Sequence, residues 1–309
     1  MKKIMLILAI GSFAFVSCKK KGCTDETAIN YSDNAKKDDG SCLYDDPTET
    51  GPFLIVKLHF DSTQVRLDNF GNPATIPANH SAQSPVFHAM SAHYIELAPN
   101  QFTQLGAGDI IYKGAETSAG GSNAVNFNQA IVKGQDEVFV KIPLSSITPD
   151  TYNWLRVSLT YQNFDINYRF GGIDYVGTLA SFVGFKTYIT NYKIFNQTIT
   201  VNGNKAQGYW GFENIQYGVT VEGQATATTV PNPLSATSPI PAGSCVVTGQ
   251  FPTPFVFTGN ETSDITMTLN LSTNNSFEWF DNNQDGIYET QDGDYPTDMG
   301  LRGLIPVIE

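Results

Sequence analysis

Positive charge is scarce in this sequence: 18 lysines and arginines stand against 30 aspartates and glutamates, and the formal net charge is −12. With a pI near 4.7 there is no basic stripe to neutralise phosphates, which excludes nucleic acid as a partner class. Charged residues of either sign make up 16% of the chain, against about 25% in an average domain. The shortage of Lys, Arg and Glu removes the residues that favour long helices, while Asn, Thr, Gly and aromatics, which suit strands and turns, are abundant. Beyond the first seventeen residues no stretch carries eighteen apolar residues in a row, so no later membrane-spanning helix is expected. A Gly-x-Ser-x-Gly elbow, a phosphate-binding glycine loop and a His-Glu-x-x-His pair are also missing. Carboxylate pairs arise in any acidic chain and do not by themselves argue for hydrolysis of glycosides. The expected class is therefore not an enzyme.

What is present begins with a leader. Lys2 and Lys3 precede an apolar stretch over residues 4–10, and apolar character resumes from Phe13 to Val16. The segment is too short to span a bilayer comfortably, and it ends in Phe15-Val16-Ser17-Cys18. This ending resembles a lipobox, which implies cleavage after residue 17, acylation of the Cys18 thiol, and a place in the cell envelope, outer membrane included. The only membrane contact expected is that lipid anchor. The remaining chain, roughly 290 residues, suffices for a small module and one large all-β domain.

With Cys18 assigned to lipid, Cys23, Cys42 and Cys245 remain. Cys23 and Cys42 flank a short polar stretch and are natural disulfide partners in an oxidising compartment. A loop of that size contributes about 3 kcal/mol in the chain-entropy model. Cys245 is left over and reads as a small buried apolar residue. The string from Gly22-Cys23-Thr24-Asp25 to Asp38-Asp39-Gly40-Ser41-Cys42 resembles a cysteine-paired module of surface proteins from Bacteroidota-type envelopes. That resemblance implies location more than activity. Asp38-Asp39-Gly40 reads as a turn whose carboxylates are also available to a cation. Residues 18–44 thus form a lipid-anchored module, 45–52 an acidic, proline-bearing linker, and 53–309 the main domain.

Alternation of apolar and polar residues marks strands over 53–60, 109–112, 138–142, 154–161, 166–170, 175–189, 197–201, 207–220, 245–250, 254–258, 265–271 and 277–280. In Ile265-Thr266-Met267-Thr268-Leu269-Asn270-Leu271 the odd positions are apolar and the even ones polar, giving one buried and one exposed face. Asn274-Asn275 is expected to turn this strand into a hairpin with 277–280. Prolines 231, 233, 239 and 241 fall in a Thr-, Ala- and Ser-rich stretch near 225–243, read as a long connection within one domain. Many short strands without an amphipathic helix predict an antiparallel β-sandwich.

Three groups of residues carry candidate chemistry. After the last predicted strand, Asp281, Asn283, Asp285, Ile287, Glu289 and Asp292 occupy positions 1, 3, 5, 7, 9 and 12 of a loop with Gly286 at position 6. The spacing resembles Asp-x-Asn-x-Asp-Gly calcium loops of the EF-hand kind, which implies side-chain oxygens and the Ile287 carbonyl around one hard cation. A strand instead of a helix precedes it, and position 12 is Asp where Glu is usual; a polar β-turn explains the same Asn and Gly residues. The four histidines, His59, His80, His88 and His93, lie within 35 residues of one another, with Met90 between the last two, and are candidate ligands for copper or simply separate residues on strands and loops. His59 and His93 are expected on adjacent strands, with His80 or His88 arriving from the intervening loop, and Met90 on the face of His88. Third, Tyr152, Trp154, Tyr161-Gln162-Asn163-Phe164, Tyr188, Asn191-Tyr192 and Gln207-Gly208-Tyr209-Trp210-Gly211-Phe212 combine aromatics and amides, which suit sugars or peptides as well as a packed core.

The strings Leu58-His59-Phe60-Asp61, Arg66-Leu67-Asp68-Asn69 with Gly71-Asn72, His93-Tyr94-Ile95-Glu96-Leu97 and Pro149-Asp150-Thr151-Tyr152 resemble β-sandwich envelope proteins similar to methanobactin-associated MbnP, over roughly residues 53–220. The resemblance implies a sandwich that binds copper through histidines and an oxidised tryptophan. Trp154, Trp210 and Trp279 are the tryptophans present, and none is adjacent to a histidine in sequence. The leading expectation is a non-catalytic envelope lipoprotein that binds a ligand or protein through loops of a β-sandwich. A copper-binding protein is the alternative, and an extracellular enzyme a more distant one.

Overall fold

The structure is a computed structural model that describes residues 23–26, 28, 31, 35–38, 42, 51–68, 71–225, 236 and 238–309. The leader, Cys18, the Asp39-Gly40 turn, most of the linker, and residues 226–235 and 237 of the proline-rich connection lie outside the described residues. The chain divides into two compact units, Met1–Tyr44 and Asp45–Glu309. In the first, Cys23 and Cys42 form the expected disulfide, with their Cα atoms 4.7 Å apart. Short backbone bonds from the Ala28 amide to the Asp25 carbonyl and from the Tyr31 amide to the Ala28 carbonyl fold the chain between them.

The second unit contains no α-helix among the described residues. Its strands are β1 (Phe53–Asp61), β2 (His80–Gln83), β3 (Val86–Ala98), β4 (Asp109–Lys113), β5 (Glu116–Thr117), β6 (Ala124–Asn126), β7 (Val138–Pro143), β8 (Asp150–Phe170) and β9 (Ile173–Phe182). These are followed by β10 (Lys186–Lys193), β11 (Thr198–Ala206), β12 (Tyr209–Asn214), β13 (Thr220–Gln224), β14 (Cys245–Phe257), β15 (Ile265–Ser272), β16 (Phe277–Phe280), β17 (Tyr295–Met299) and β18 (Leu304–Ile308). The largest sheet runs β13-β12-β9-β8-β3-β4, with β14 and then β9 sharing one edge of the long β8 in succession. Smaller sheets run β18-β15-β1-β7, β11-β10-β6-β5 and β17-β16-β2. Pairing is antiparallel except for β1 with β15 and β6 with β10.

Period-two side-chain placement explains how the sheets stack. One face of the large sheet sets Tyr161, Phe182 and Tyr209 against Ile189 and Tyr192 of β10. The opposite face sets Phe164 and Leu179 against Phe277 and Trp279 of β16. In β1, Leu54, Val56 and Leu58 are fully buried, and so are Met267, Leu269 and Leu271 of its neighbour β15. Each such side chain contributes about 1.5–3 kcal/mol through removal from water. The expected all-β sandwich with a disulfide-stapled module ahead of it is the fold observed.

Several strand expectations are corrected. The turn at Asn274-Asn275 does not make a hairpin: β15 already has β1 on one edge and β18 on the other, so no edge remains for β16, which joins β2 and β17 instead. Asn275 adopts a left-handed backbone with φ 49°, and its amide donates to the Ser84 hydroxyl, which directs the chain away toward the other sheet. Residues 154–161 and 166–170 belong to one strand, β8. Residues 245–250 and 254–258 likewise merge into β14, with a register shift between Gln250 and Phe255. Conversely, 175–189 splits into β9 and β10, and 207–220 into β12 and the beginning of β13.

Candidate functional site

Cross-strand register builds the most distinctive surface. Met90 of β3 pairs with Gln162 of β8, Gln162 with Ser181 of β9, and Ser181 with Trp210 of β12. Laterally paired residues point to the same face of a sheet, so these four form one row. Gln162, Ser181 and Trp210 of this row line a cavity of about 640 Å³, which β17 with Gly300 and Leu301 also lines. Gln162 is completely buried, yet among the described residues neither its amide nitrogen nor its amide oxygen has a hydrogen-bond partner. The buried Ser181 hydroxyl is equally unpaired. Gln207 donates through Nε2 to the Val183 carbonyl at 2.9 Å, while its Oε1 has no partner among the described residues. Gly300 lies in front of these groups: a Cβ there would be in ordinary contact, 3.5 Å, with Gln162 Nε2.

Trp210, Tyr288 and Tyr295 give the cavity aromatic faces, and Asp294 and Asp298 give it carboxylates. Burial pushes the Asp298 carboxyl upward, against the opposing pull of Arg302. Cys245 also lines the cavity, and burial followed by the Asp298 charge pushes its thiol up to about 12, so it stays protonated at neutral pH. The remaining aromatic and amide residues singled out in the sequence divide between core and surface. Tyr152, Tyr161, Phe164, Tyr192 and Tyr209 are buried core. Asn163 is also buried and donates to the Ile194 carbonyl at 2.9 Å.

The acidic loop after β16 forms a second wall element, since Tyr288, Thr290 and Asp294 line the cavity. Asp281, 2% exposed, accepts through Oδ2 from the Ser81 hydroxyl at 2.7 Å and from the Gly286 amide at 2.9 Å. Its Oδ1 is buried and has no hydrogen-bond partner among the described residues. Burial works to raise this carboxyl, but the Ser81 hydroxyl and the backbone amides of the loop outweigh it and hold it below the usual range. Asn283 Nδ2 lies 3.2 Å from both Asp285 Oδ2 and Asp292 Oδ2. The Asp285 amide donates to Asn283 Oδ1 at 3.3 Å, and the Ile287 amide to Asp285 Oδ1 at 2.9 Å. Gly286, with φ 79°, makes the bend that L side chains resist. Burial, then the Asp292 and Asp285 charges, raise the Glu289 carboxyl, and Arg169 at 3.7 Å partly offsets them.

Among protein-family models, curated proteins and solved structures, nothing matches this chain. Asp294 went unnoticed in the sequence, yet it clasps the acidic loop by accepting from the Asn282 amide at 3.0 Å and the Glu289 amide at 2.9 Å. Its position, two residues beyond the twelve-residue pattern, is the signal that was available.

The histidines do not come together. His59 meets Asp136 at 2.7 Å, His80 meets Glu278 at 2.7 Å, His88 meets Asp165 at 2.9 Å, and His93 meets Glu116 at 3.1 Å. The expected adjacency of His59 and His93 does not arise, because β1 pairs with β15 and β7, whereas β3 pairs with β8 and β4. The expected shared face of His88 and Met90 is interrupted by a register shift between Phe87 and Ala89, which leaves His88 exposed and Met90 fully buried. As the side chains stand, no three of His, Cys, Asp or Glu among the described residues gather about one point. The aromatic neighbours of His93 are Tyr94 and Phe185, and that of His80 is Phe280.

Proposed function

We propose that this chain is a non-catalytic cell-envelope lipoprotein whose β-sandwich binds a small hydroxyl-rich ligand of the saccharide class in the cavity between β8, β9, β12 and β17. The observation that carries this reading is Gln162: wholly buried, unpaired at both amide atoms, and facing the cavity. A buried polar group without a partner costs about 1–3 kcal/mol, so a core does not retain one for stability. An amide that offers a donor and an acceptor together matches vicinal hydroxyls, and Ser181 and Gln207 extend the same pattern. Trp210 supplies the apolar face against which a sugar ring packs. The protonated state of the Cys245 thiol favours binding over covalent chemistry.

Replacing Gln162 with Leu separates binding from folding. It removes two unpaired polar atoms from the interior, and stability is expected to rise by about 1–3 kcal/mol. Ligand binding is expected to disappear at the same time. Saturation-transfer NMR of the full chain in a non-sugar detergent, with a panel of glucose, galactose, mannose and N-acetylglucosamine, reads the binding, and thermal melts read the stability. Gly300→Leu, which fills the space before the Gln162 amide, is expected to block the same sugars. The reading fails if no sugar in the panel gives transfer, or if transfer persists in both variants.

The envelope location rests on the sequence Phe15-Val16-Ser17-Cys18. No described helix is long and apolar enough to cross a membrane. Cys18→Ala is expected to shift the protein from the detergent phase to the aqueous phase in Triton X-114 partitioning. Full retention in the detergent phase after leader cleavage would show that something other than an acyl chain holds it.

A further inference from the structure

We propose that the loop over residues 281–292 binds one calcium ion through Asp281, Asn283, Asp285, the Ile287 carbonyl, Glu289 and Asp292. The inference stands independently of the ligand in the neighbouring cavity. Asp281 provides the first argument. The Gly286 amide reaches its Oδ2 from within the loop, so the carboxylate sits inside the turn of chain, and its other oxygen is buried there without a partner. A plain turn accounts for the Asn, Asp and Gly residues by backbone preference. It leaves that oxygen unexplained, whereas a cation in the loop gives it a ligand role.

Asn283 provides the second argument. Its Nδ2, a donor with partial positive charge, bridges Asp285 and Asp292 at 3.2 Å each. The amide holds apart two carboxylates that would otherwise repel each other. Rotation of the amide by half a turn presents Oδ1 inward, converts Asn283 from bridge to ligand, and frees both carboxylates for a metal. The side chains do not converge before binding, so this rotation is part of the binding event.

The donor set selects the ion. It is all oxygen, made of four carboxylates, one amide and one backbone carbonyl, without thiol or imidazole, which suits a hard cation over zinc or copper. Six protein ligands on one flexible loop fit calcium, while magnesium demands near-ideal octahedral geometry and keeps most of its water. Asp292 is one methylene shorter than the usual Glu, so closure is with a single oxygen, and affinity falls in the range of about 10⁻⁴–10⁻³ M seen for extracellular modules. Because Tyr288, Thr290 and Asp294 line the cavity, the bound ion also fixes one of its walls.

The test is calorimetric titration of the chelator-treated full chain with calcium chloride alone, followed by thermal melts. Wild type is expected to bind about one calcium, to melt about 5 °C higher when calcium is a hundredfold above Kd, and to respond at least tenfold more weakly to magnesium. Asp281→Asn, which keeps the shape, and Asp292→Asn, at the surface of the loop, are each expected to weaken calcium at least tenfold. Glu309→Gln, beyond β18 and outside the loop, is expected to leave it unchanged. Absence of calcium heat and of any melting response in wild type, or a response that survives in both loop variants, overturns the proposal. No sugar is present in this experiment, so its failure leaves the Gln162 cavity reading standing, and failure of the sugar panel leaves the calcium result standing.

Discussion

Glu278→Gln is expected to destabilise the β-sandwich by about 3–5 kcal/mol, the range measured when one partner of a buried ion pair is removed. Glu278 lies on β16, 4% exposed, and its two oxygens serve separate elements. Oε1 takes the His80 ring nitrogen of β2 at 2.7 Å and the Thr297 hydroxyl of β17 at 3.2 Å. Oε2 faces the Arg66 guanidinium, itself 7% exposed, and Arg302 at 3.6 Å. The amide keeps the volume but removes the charge, leaving Arg66 buried beside a neutral group. Its other hydrogen bond, to the Asn275 carbonyl, does not compensate a full charge. Urea unfolding reads the loss, and the melting temperature should fall by roughly 10 °C. A second variant tests the cause. Arg66→Met combined with Glu278→Leu removes both charges and should recover most of the loss, as apolar replacements of buried ion pairs do. If the double variant is no more stable than Glu278→Gln, the cost lies in lost packing and not in an orphaned charge.

That network also shows what the sequence displays and what it hides. The alternation in 265–271 marks β15 almost to the residue, because burial on one face constrains every second position, and the aromatic run 277–280 coincides with β16. The partners of those strands were not legible. Pairing is decided by which edges are already taken, and β15 had both edges occupied by strands more than two hundred positions earlier or over thirty later. The parallel pairing of β1 with β15 has no local signature at all, since no turn links the two strands.

The cavity was hidden by a similar effect. Gln162-Asn163 interrupts the hydrophobic pattern and reads as a break between two strands, whereas β8 runs straight through it. The two amides are in the strand because each has a use there: Asn163 donates to the Ile194 carbonyl on one face, and Gln162 faces the cavity on the other. A polar residue inside a long strand is thus better read as a question about its partner than as a turn. The acidic loop could be picked out because the spacing of its oxygen-bearing residues is local in sequence. For the histidines, nearness in sequence does not carry over to nearness in space: each imidazole meets its own carboxylate.

One of those imidazoles gives the domain an acid-sensitive element. His93 is completely buried on β3, between Tyr94 at 4.3 Å and Phe185 at 5.5 Å by ring centres. Its Nε2 faces Glu116 at 3.1 Å, and its Nδ1 has no partner among the described residues. Burial drives its pKa down to about 4, and Lys113 adds to the fall, while the Glu116 charge opposes it without prevailing. In the unfolded chain the ring titrates near 6.5. Between these two values the unfolded state binds a proton that the folded state refuses, so stability is fully present above pH 6.5 and declines as the pH drops toward 4. The full decline from this ring is about 3 kcal/mol. Glu116 acts in a lower window. Burial raises its carboxyl, but Asn123 and Lys113 outweigh that and hold it low, so its contribution is lost only below its ordinary value of 4.5. His93→Phe keeps an aromatic ring between Tyr94 and Phe185 and removes the titration. Urea unfolding of wild type and variant at pH 7.5, 6.5, 5.5 and 4.5 should give a difference curve that is level above pH 6.5. Below that pH the variant should gain on wild type by more than 1 kcal/mol for each further unit of pH. A level difference curve across the whole range would mean that the folded ring titrates as the unfolded one does, with the Glu116 charge cancelling the effect of burial.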